Sequence, residues 1–162
     1  IARRSLALNT LVVVLGCLTT PFYIARAIDD VHGKEEILYL SENDHLAIGW
    51  LRERTTPNTL ILSSYHQCNK LSAQLNRRFI LGHWGFSPNK PMLTRICEGL
   101  LRAEYTPSTT KSLLTEYQVD LIYVPAEFEA AAIPYFEGMP GIHFVFRSGD
   151  VHIFSVERVE RG

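Results

Sequence analysis

The feature that most constrains the fold of this chain is an uncharged apolar run near its beginning. From Ser5 to Ala25, the 21 residues "SLALNTLVVVLGCLTTPFYIA" include no charged side chain. As a helix they would be about 31 Å long at ~1.5 Å per residue, close to the roughly 30 Å of a bilayer's hydrocarbon layer. A helix on the surface of a core is apolar on one face, whereas this run is apolar on every face. We therefore predict a transmembrane helix, with its flanks at residues 1–30.

Charges on the two sides of the run predict its orientation. Arg3 and Arg4 precede it, and Asp29 and Asp30 follow it. Basic residues favour the cytoplasmic side of a membrane. We therefore expect an extracytoplasmic domain over residues 31–162, held at the cell membrane with membrane lipid as a partner.

Two other interpretations of the run fit it less well. A cleaved signal peptide is the first of these; no initiator Met precedes the run, although Ala25-Arg26-Ala27 has the small-x-small spacing of a cleavage site. "VLGC" at 14–17 resembles a lipoprotein processing box, but Leu15 is bulky for its place and the chain stays apolar after Cys17. Because the chain starts at Ile1 with two arginines close behind, we expect it to belong to a longer protein, whose N-terminal transmembrane domain is missing and whose last span this is.

The charge balance after the run argues against nucleic acid as a partner. Of the 16 basic residues, three lie in or beside the run, which leaves 13 against 17 acidic residues from Asp29 onward. Binding to a phosphate backbone needs a basic face. We exclude nucleic-acid binding.

Hydrophobic patterns after residue 30 predict alternating strands and helices. Strand-like runs occupy 59–65, 78–84 and 120–125, and two further runs, 142–148 and 151–157, form a hairpin around Gly149-Asp150. Helical patterns follow at 66–76 and in the longer gaps. This order implies right-handed crossovers. We predict an α/β fold: a small mainly parallel sheet with flanking helices and a C-terminal β-hairpin, preceded by one transmembrane helix.

Capping residues predict where individual helices begin and end. Ser41 with Asp44 forms a shortened capping box. Ser87-Pro88 and Thr106-Pro107 each combine a hydroxyl cap with a proline in the first turn. In "EFEAAAIPYF" a short helix is predicted to stop near Pro134.

Polar and aromatic residues follow the predicted parallel strands. The strand ends carry "SSYHQCN", "GHWGFS" and "PAEFE", and ligands of open α/β sheets bind at that edge. The glycines on either side of "HW" allow close approach by another group. An aromatic face beside hydrogen-bonding groups suits a sugar or a polyprenyl-phosphate head group. The candidate ligand-binding residues are Tyr65, His66, Asn69, His83, Trp84 and Glu127.

A purely structural role is the alternative for this edge, with Trp84 packing over the sheet and His83 bonding a loop carbonyl. Zinc binding by His66, Cys68 and His83 has no paired-ligand spacing behind it. A triad of Ser64, a histidine and Glu127 lacks a nucleophile elbow. We assign no catalytic residue and no metal ligand, and the sequence predicts no particular cofactor.

Two cysteines, Cys68 and Cys97, follow the apolar run. Outside the cytoplasm they could form a disulfide. Cys97 also lies on the apolar face of a helical pattern, where a free cysteine packs as core.

Several stretches together resemble a known family. They are "LAIGWLRERTTPNTLILSSYHQCNKLSAQLNRRFILGHWGFSPN", then "LLTEYQVDLIYVPAEFE", after a terminal span and before a closing hairpin. The most specific pieces are "LSSY", the "GHW" turn and "Y.P.E". The chain resembles the C-terminal extracytoplasmic domain of bacterial polytopic membrane glycosyltransferases of the GT-C type, which are related to the dolichyl-phosphate-mannose protein mannosyltransferases. It departs from the family pattern at Val124, where a glycine is usual, and at Ser87, where a threonine is frequent.

The resemblance implies a parent hexosyltransferase that moves a sugar from a polyprenyl-phosphate donor to an acceptor on the outer face of the membrane. In that family the catalytic acid lies in an early loop, so the part seen here would be non-catalytic. A membrane-anchored scaffold or interaction domain without a ligand is the alternative, and a small anchored hydrolase is a third.

Overall fold

The computed structural model of the chain describes residues 23, 24, 26, 40–82 and 89–157. The chain divides into two units, Ile1–Tyr39 and Leu40–Gly162. In the first unit the three described residues are helical and exposed, and the rest of the predicted transmembrane helix lies outside the described residues. Within the described ranges, no helix is both long enough and apolar enough to cross a membrane. The predicted domain limits, 1–30 and 31–162, stay a prediction.

The second unit is built from helices and strands that alternate along the chain. Its described helices are α1 Glu42–Arg54, α2 Tyr65–Ser72, α3 Lys90–Leu101, α4 Pro107–Glu116 and α5 Glu129–Glu137, the last preceded by a 3₁₀ turn at Ala126–Phe128. Its strands are β1 Leu60–Leu62, β2 Arg78–Phe79, β3 Leu121–Val124, β4 Ile142–Ser148 and β5 Val151–Val156.

The five strands form one sheet in the order β2-β1-β3-β5-β4. β1 pairs in parallel with both β2 and β3. β5 is antiparallel to β3 and to β4, and the register sets Ile122 opposite Phe154. The predicted α/β fold, with a parallel centre and a terminal hairpin on one side, is confirmed.

Each face of the sheet is covered by its own apolar cluster. Successive residues of a strand point to opposite faces. Ile122 and Val124 therefore join the cluster formed with α3, α4 and α5, while Tyr123 joins the cluster that includes Leu51 of α1. All four residues of β3 are buried. This strand lies at the centre of the core, and its last residues reach the edge of the sheet where a site was predicted.

Helix caps agree with the sequence at two of the three predicted starts. Ser41 Oγ accepts a hydrogen bond from Asp44 N at 3.0 Å, and the Asp44 carboxylate accepts one from Ser41 N at 2.9 Å, which completes the capping box. Thr106 caps α4. The third predicted start, Ser87-Pro88, lies outside the described residues, and α3 begins at Lys90.

The predicted stop near Pro134 is wrong. α5 continues through this proline to Glu137. Pro134 cannot donate to the carbonyl of Ala130, but Ala130 is exposed, so water can satisfy that oxygen. Ala132 and Phe136 are fully buried on either side of the proline. Tertiary packing therefore outweighs the local preference to stop.

Candidate functional site

The carboxyl ends of the parallel strands β1, β2 and β3 lie at one edge of the sheet, which we call the carboxyl edge. β5 is antiparallel to β3, so its start and the turn at Gly149-Asp150 lie at the same edge. Two residues separate β1 from α2, and one residue separates β3 from the 3₁₀ turn. The described candidate residues therefore lie on α2 and on the 3₁₀ turn, beside the carboxyl edge.

A buried carboxylate organises this edge. Asp44 is 6% exposed. Its Oδ1 accepts hydrogen bonds from the Tyr123 hydroxyl at 2.5 Å and from Gln67 Nε2 at 2.6 Å. Its Oδ2 accepts from the backbone N and the hydroxyl of Ser41, both at 2.9 Å. Four donors thus compensate the buried charge, and they connect α1, α2 and β3.

The Tyr123 hydroxyl serves this cluster as a fixed donor. Burial raises its pKa, and the hydrogen bond with the Asp44 carboxylate raises it further. The phenol therefore stays protonated at all physiological pH values. A buried phenol that stays protonated positions its neighbours and does not exchange protons with a ligand.

The hairpin turn is joined to the start of α1 by side-chain hydrogen bonds. Asn43 Nδ2 donates to Asp150 Oδ1 at 3.0 Å, and the Ser148 hydroxyl donates to Asn43 Oδ1 at 3.0 Å. Gly149 has a φ of 54° and lies against the Asn43 amide. The turn has no room for a side chain there without displacing that amide.

A second group of polar residues lies where α2 and α3 begin. Lys90 Nζ lies 3.9 Å from the centroid of the Tyr65 ring, in a cation–π arrangement. The His66 ring packs edge-on against that of Tyr65, with 5.4 Å between centroids. Interaction with Lys90 lowers the pKa of the Tyr65 hydroxyl; desolvation opposes this with a smaller effect, and Asn69 adds a lesser lowering.

The structure brings together three of the predicted ligand-binding residues. Tyr65, His66 and Asn69 share the first turns of α2; Tyr65 and Asn69 are half-buried and His66 is exposed. Glu127 is exposed on the 3₁₀ turn after β3. The other two, His83 and Trp84, lie outside the described residues.

The structure also bears on two alternatives that the sequence analysis did not adopt, a catalytic triad with Ser64 and a zinc site with Cys68. The Ser64 hydroxyl accepts a hydrogen bond from Gln67 N at 3.3 Å as the N-cap of α2, so it serves the helix and not a catalytic triad. Burial raises the pKa of the Cys68 thiol to about 12, far from the thiolate that zinc binds. Among the residues that the structure describes, no three or more His, Cys, Asp or Glu side chains are grouped to hold a metal ion.

The suggested disulfide does not form in the structure. Cys68 and Cys97 are both free and buried in the cluster between the sheet and α3. Burial raises the pKa of each thiol, and for Cys97 the nearby Cys68 adds to this effect. The two cysteines therefore act as small core residues, which was the alternative interpretation of Cys97.

Sequence reasoning missed the polar residues that organise the edge. Lys90 precedes a proline, and nothing in the neighbouring sequence marked it as a partner of Tyr65. Tyr123 was treated only as part of a buried strand. A buried tyrosine usually has a hydrogen-bond partner for its hydroxyl, and that rule could have directed attention to a polar cluster beneath the edge.

A polar cleft also lies at the opposite edge of the sheet, where β1 and β3 begin. It is lined by Arg54, Thr55, Thr56, Asn58, Thr59, Asp120 and Leu121. Asp120 Oδ2 accepts a hydrogen bond from Leu60 N at 2.8 Å, which closes the start of β1 against β3. The Asp120 carboxylate thus has a structural role at the strand starts, and the carboxyl edge remains the candidate site.

Comparison with known proteins supports the fold. No protein-family model matches the chain, and no curated protein sequence matches it. Among solved structures, the chain is similar to the C-terminal globular domain of an oligosaccharyltransferase from Archaeoglobus fulgidus, with a TM-score of 0.57 and 10% sequence identity. The match covers 74% of this chain and all of that domain. At this identity the likeness concerns the fold.

Proposed function

We propose that this chain is the non-catalytic, extracytoplasmic C-terminal part of a membrane glycosyltransferase of the GT-C type. The parent enzyme would transfer a sugar from a polyprenyl-phosphate donor to an acceptor at the outer face of a bacterial cell membrane. The observation that carries the proposal is the shared fold with an oligosaccharyltransferase C-terminal domain that the match covers completely. The apolar run at 5–25 supports it, because such a domain needs attachment to a membrane part.

The chemistry of the carboxyl edge supports a non-catalytic role. A general base needs a carboxylate oxygen that can reach the reacting hydroxyl. Both oxygens of Asp44, the buried carboxylate here, already accept two hydrogen bonds each from protein groups. Glu127, the other acid considered at this edge, is exposed on the 3₁₀ turn after β3.

Within this proposal the carboxyl edge contacts the sugar or the acceptor. Aromatic rings and amide groups are the usual means of holding a sugar, and Tyr65, His66 and Asn69 offer them on adjacent turns. We include His83, Trp84 and Glu127 in the same surface on their sequence positions after β2 and β3.

The proposal is tested by measuring sugar transfer in membranes. The complete gene product that contains these 162 residues is expressed and supplied with polyprenyl-phosphate sugars. We expect transfer by the complete product, at least tenfold less transfer when residues 40–157 are deleted, and none by the 162-residue chain alone. A complete product that is inserted in the membrane and transfers no sugar from any of these donors would contradict the proposal.

A membrane-anchored interaction domain is the second candidate, and one observation favours it. Polar groups at the carboxyl edge bind one another, as Asp44 with Tyr123 and Asn43 with Asp150 show. Titrating the chain in nanodiscs with polyprenyl-phosphate sugars separates the two candidates. A substrate-binding edge predicts a fluorescence change that Trp84→Phe removes and Trp50→Phe preserves, and an edge used for packing predicts no change.

A further inference from the structure

We propose that Lys90 and Tyr65, with Asn69 one turn along α2, form a binding site for the phosphate group of a phosphate ester. The inference deepens the proposed function and rests on it only for the identity of the ester. The site itself is argued from the contacts and charges where α2 and α3 begin.

Among the described residues, no acidic side chain neutralises the charge of Lys90. Its ammonium lies over the Tyr65 ring instead. A ring face attracts a cation through its quadrupole but leaves the formal charge in place. An ammonium in this position keeps protons to donate to an incoming anion.

The first turns of α2 and α3 add to the positive electrostatic potential around Lys90. Neither α2 nor α3 has an acidic residue in its first turn. The first turn of a helix carries a partial positive charge, and acids there normally compensate it. With Lys90 at the first position of α3 and no compensating acid, this part of the carboxyl edge favours a negatively charged ligand.

The Tyr65 hydroxyl supplies a second donor for the same anion. Asn69 is one turn further along α2, at the i+4 spacing that sets two side chains on the same face of a helix. The lowered pKa of Tyr65 reports the same electrostatic preference, because neighbouring donors stabilise negative charge on that oxygen. An ammonium over the ring face and a hydroxyl on the same half-buried ring offer donors to a tetrahedral anion with several acceptor oxygens.

The test uses the whole chain in phosphatidylcholine nanodiscs. A hexose 1-phosphate is titrated against the unphosphorylated hexose, with binding followed by calorimetry. We expect Lys90→Gln to weaken binding of the phosphate about tenfold, as the loss of one charge-assisted hydrogen bond implies. Lys90→Arg, which keeps the charge, should stay within about threefold of the unmodified chain. Lys111→Gln, at an exposed lysine of α4, is the matched control and should have no effect.

A spectroscopic readout ties the binding to this site. A bound phosphate disfavours the Tyr65 phenolate, so it should shift the ultraviolet titration of Tyr65 to higher pH. The signal is assigned by difference from Tyr65→Phe.

The source of the phosphate is decided by a second set of nanodiscs that contain phosphatidylglycerol. If these discs displace the hexose 1-phosphate, the site takes a lipid headgroup; if they do not, it takes a sugar phosphate. Equal binding of hexose and hexose 1-phosphate, or equal losses in Lys90→Gln and Lys111→Gln, would overturn the site. That result would leave sugar transfer by the complete gene product unaffected, so the two proposals fail separately.

Discussion

Asp44 shows how a single residue determines the geometry of the carboxyl edge. It caps α1 with one oxygen and binds α2 and β3 with the other. The capping role was predictable, because Ser41 and Asp44 have the spacing of a capping box. The contact with Tyr123 was not, since it joins residues 79 positions apart and depends on how α1 packs on the sheet.

Removing the Asp44 carboxylate should strongly destabilise the domain. Asp44→Ala leaves the Tyr123 hydroxyl and the Gln67 amide buried without their acceptor, so we expect a loss of about 3 kcal/mol in the free energy of unfolding. Tyr123→Phe removes one of the four donors and should cost about 1 kcal/mol. Urea denaturation measures both, with Glu53→Ala, an exposed position of α1, as control. Equal effects of Asp44→Ala and Glu53→Ala would contradict this role.

The buried thiols and phenol predict a loss of stability at high pH. The folded pKa of Cys68, about 12, lies above its ordinary value of 9.0. The stabilisation is therefore complete below about pH 9 and is lost as the pH rises towards 12. Cys97 and Tyr123 shift in the same direction and add to the loss. Each group that ionises only on unfolding contributes about 1.4 kcal/mol per pH unit.

Urea denaturation at pH 7, 9 and 10.5 measures this dependence. We expect stability to fall between the two higher values, and Cys68→Ala to fall less steeply than the unmodified chain. A stability that is constant up to pH 10.5 would show that these groups are accessible to ionisation in the folded state.

Among the elements, helices with local signals were the most predictable. Thr106-Pro107 and Ser41 mark the starts of α4 and α1 because a cap acts within one turn. α5 was predicted too short, because the packing of Phe136 against β5 is a long-range effect that outweighs Pro134. Of the predicted second strand, 78–84, only Arg78–Phe79 is a strand within the described residues, although Ile80 N still donates to Ile61 O at 3.2 Å.

The hairpin between β4 and β5 is predicted to depend on Gly149. Its φ of 54° disfavours any side chain, and a Cβ would collide with the Asn43 amide that holds Asp150 and Ser148. We expect Gly149→Ala to cost about 1–3 kcal/mol by thermal or urea unfolding.

Gly138→Ala is the matched control for this substitution. Gly138 has an ordinary φ of -81° at the end of α5, and a Cβ there meets its nearest neighbour at 3.5 Å. Gly138→Ala should be neutral or slightly stabilising. If both alanine variants unfold at the same urea concentration, the turn does not depend on its glycine.

At the scale of the whole molecule, strand order and chain direction predicted the fold, and the same rule located the edge where Tyr65, His66 and Asn69 meet. The contact of Lys90 with Tyr65 could not be predicted from the sequence. It depends on the residue at which α3 begins, and each residue of displacement turns a helix by about 100°. Because the start was predicted at Ser87, the face that carries Lys90 could not be assigned.

The central claim is that the apolar run holds the α/β domain at the outer face of a membrane, and cysteine labelling tests it most directly. Cys68 and Cys97 are buried, so a membrane-impermeant maleimide should react with a cysteine introduced at the exposed Ser112 of α4. The unmodified chain gives the background from Cys17. We predict that Ser112→Cys, expressed in bacterial cells, stays with the membrane after a carbonate wash and is labelled equally in intact and lysed cells. Labelling that needs lysis, or recovery of the chain in the soluble fraction, would contradict the account.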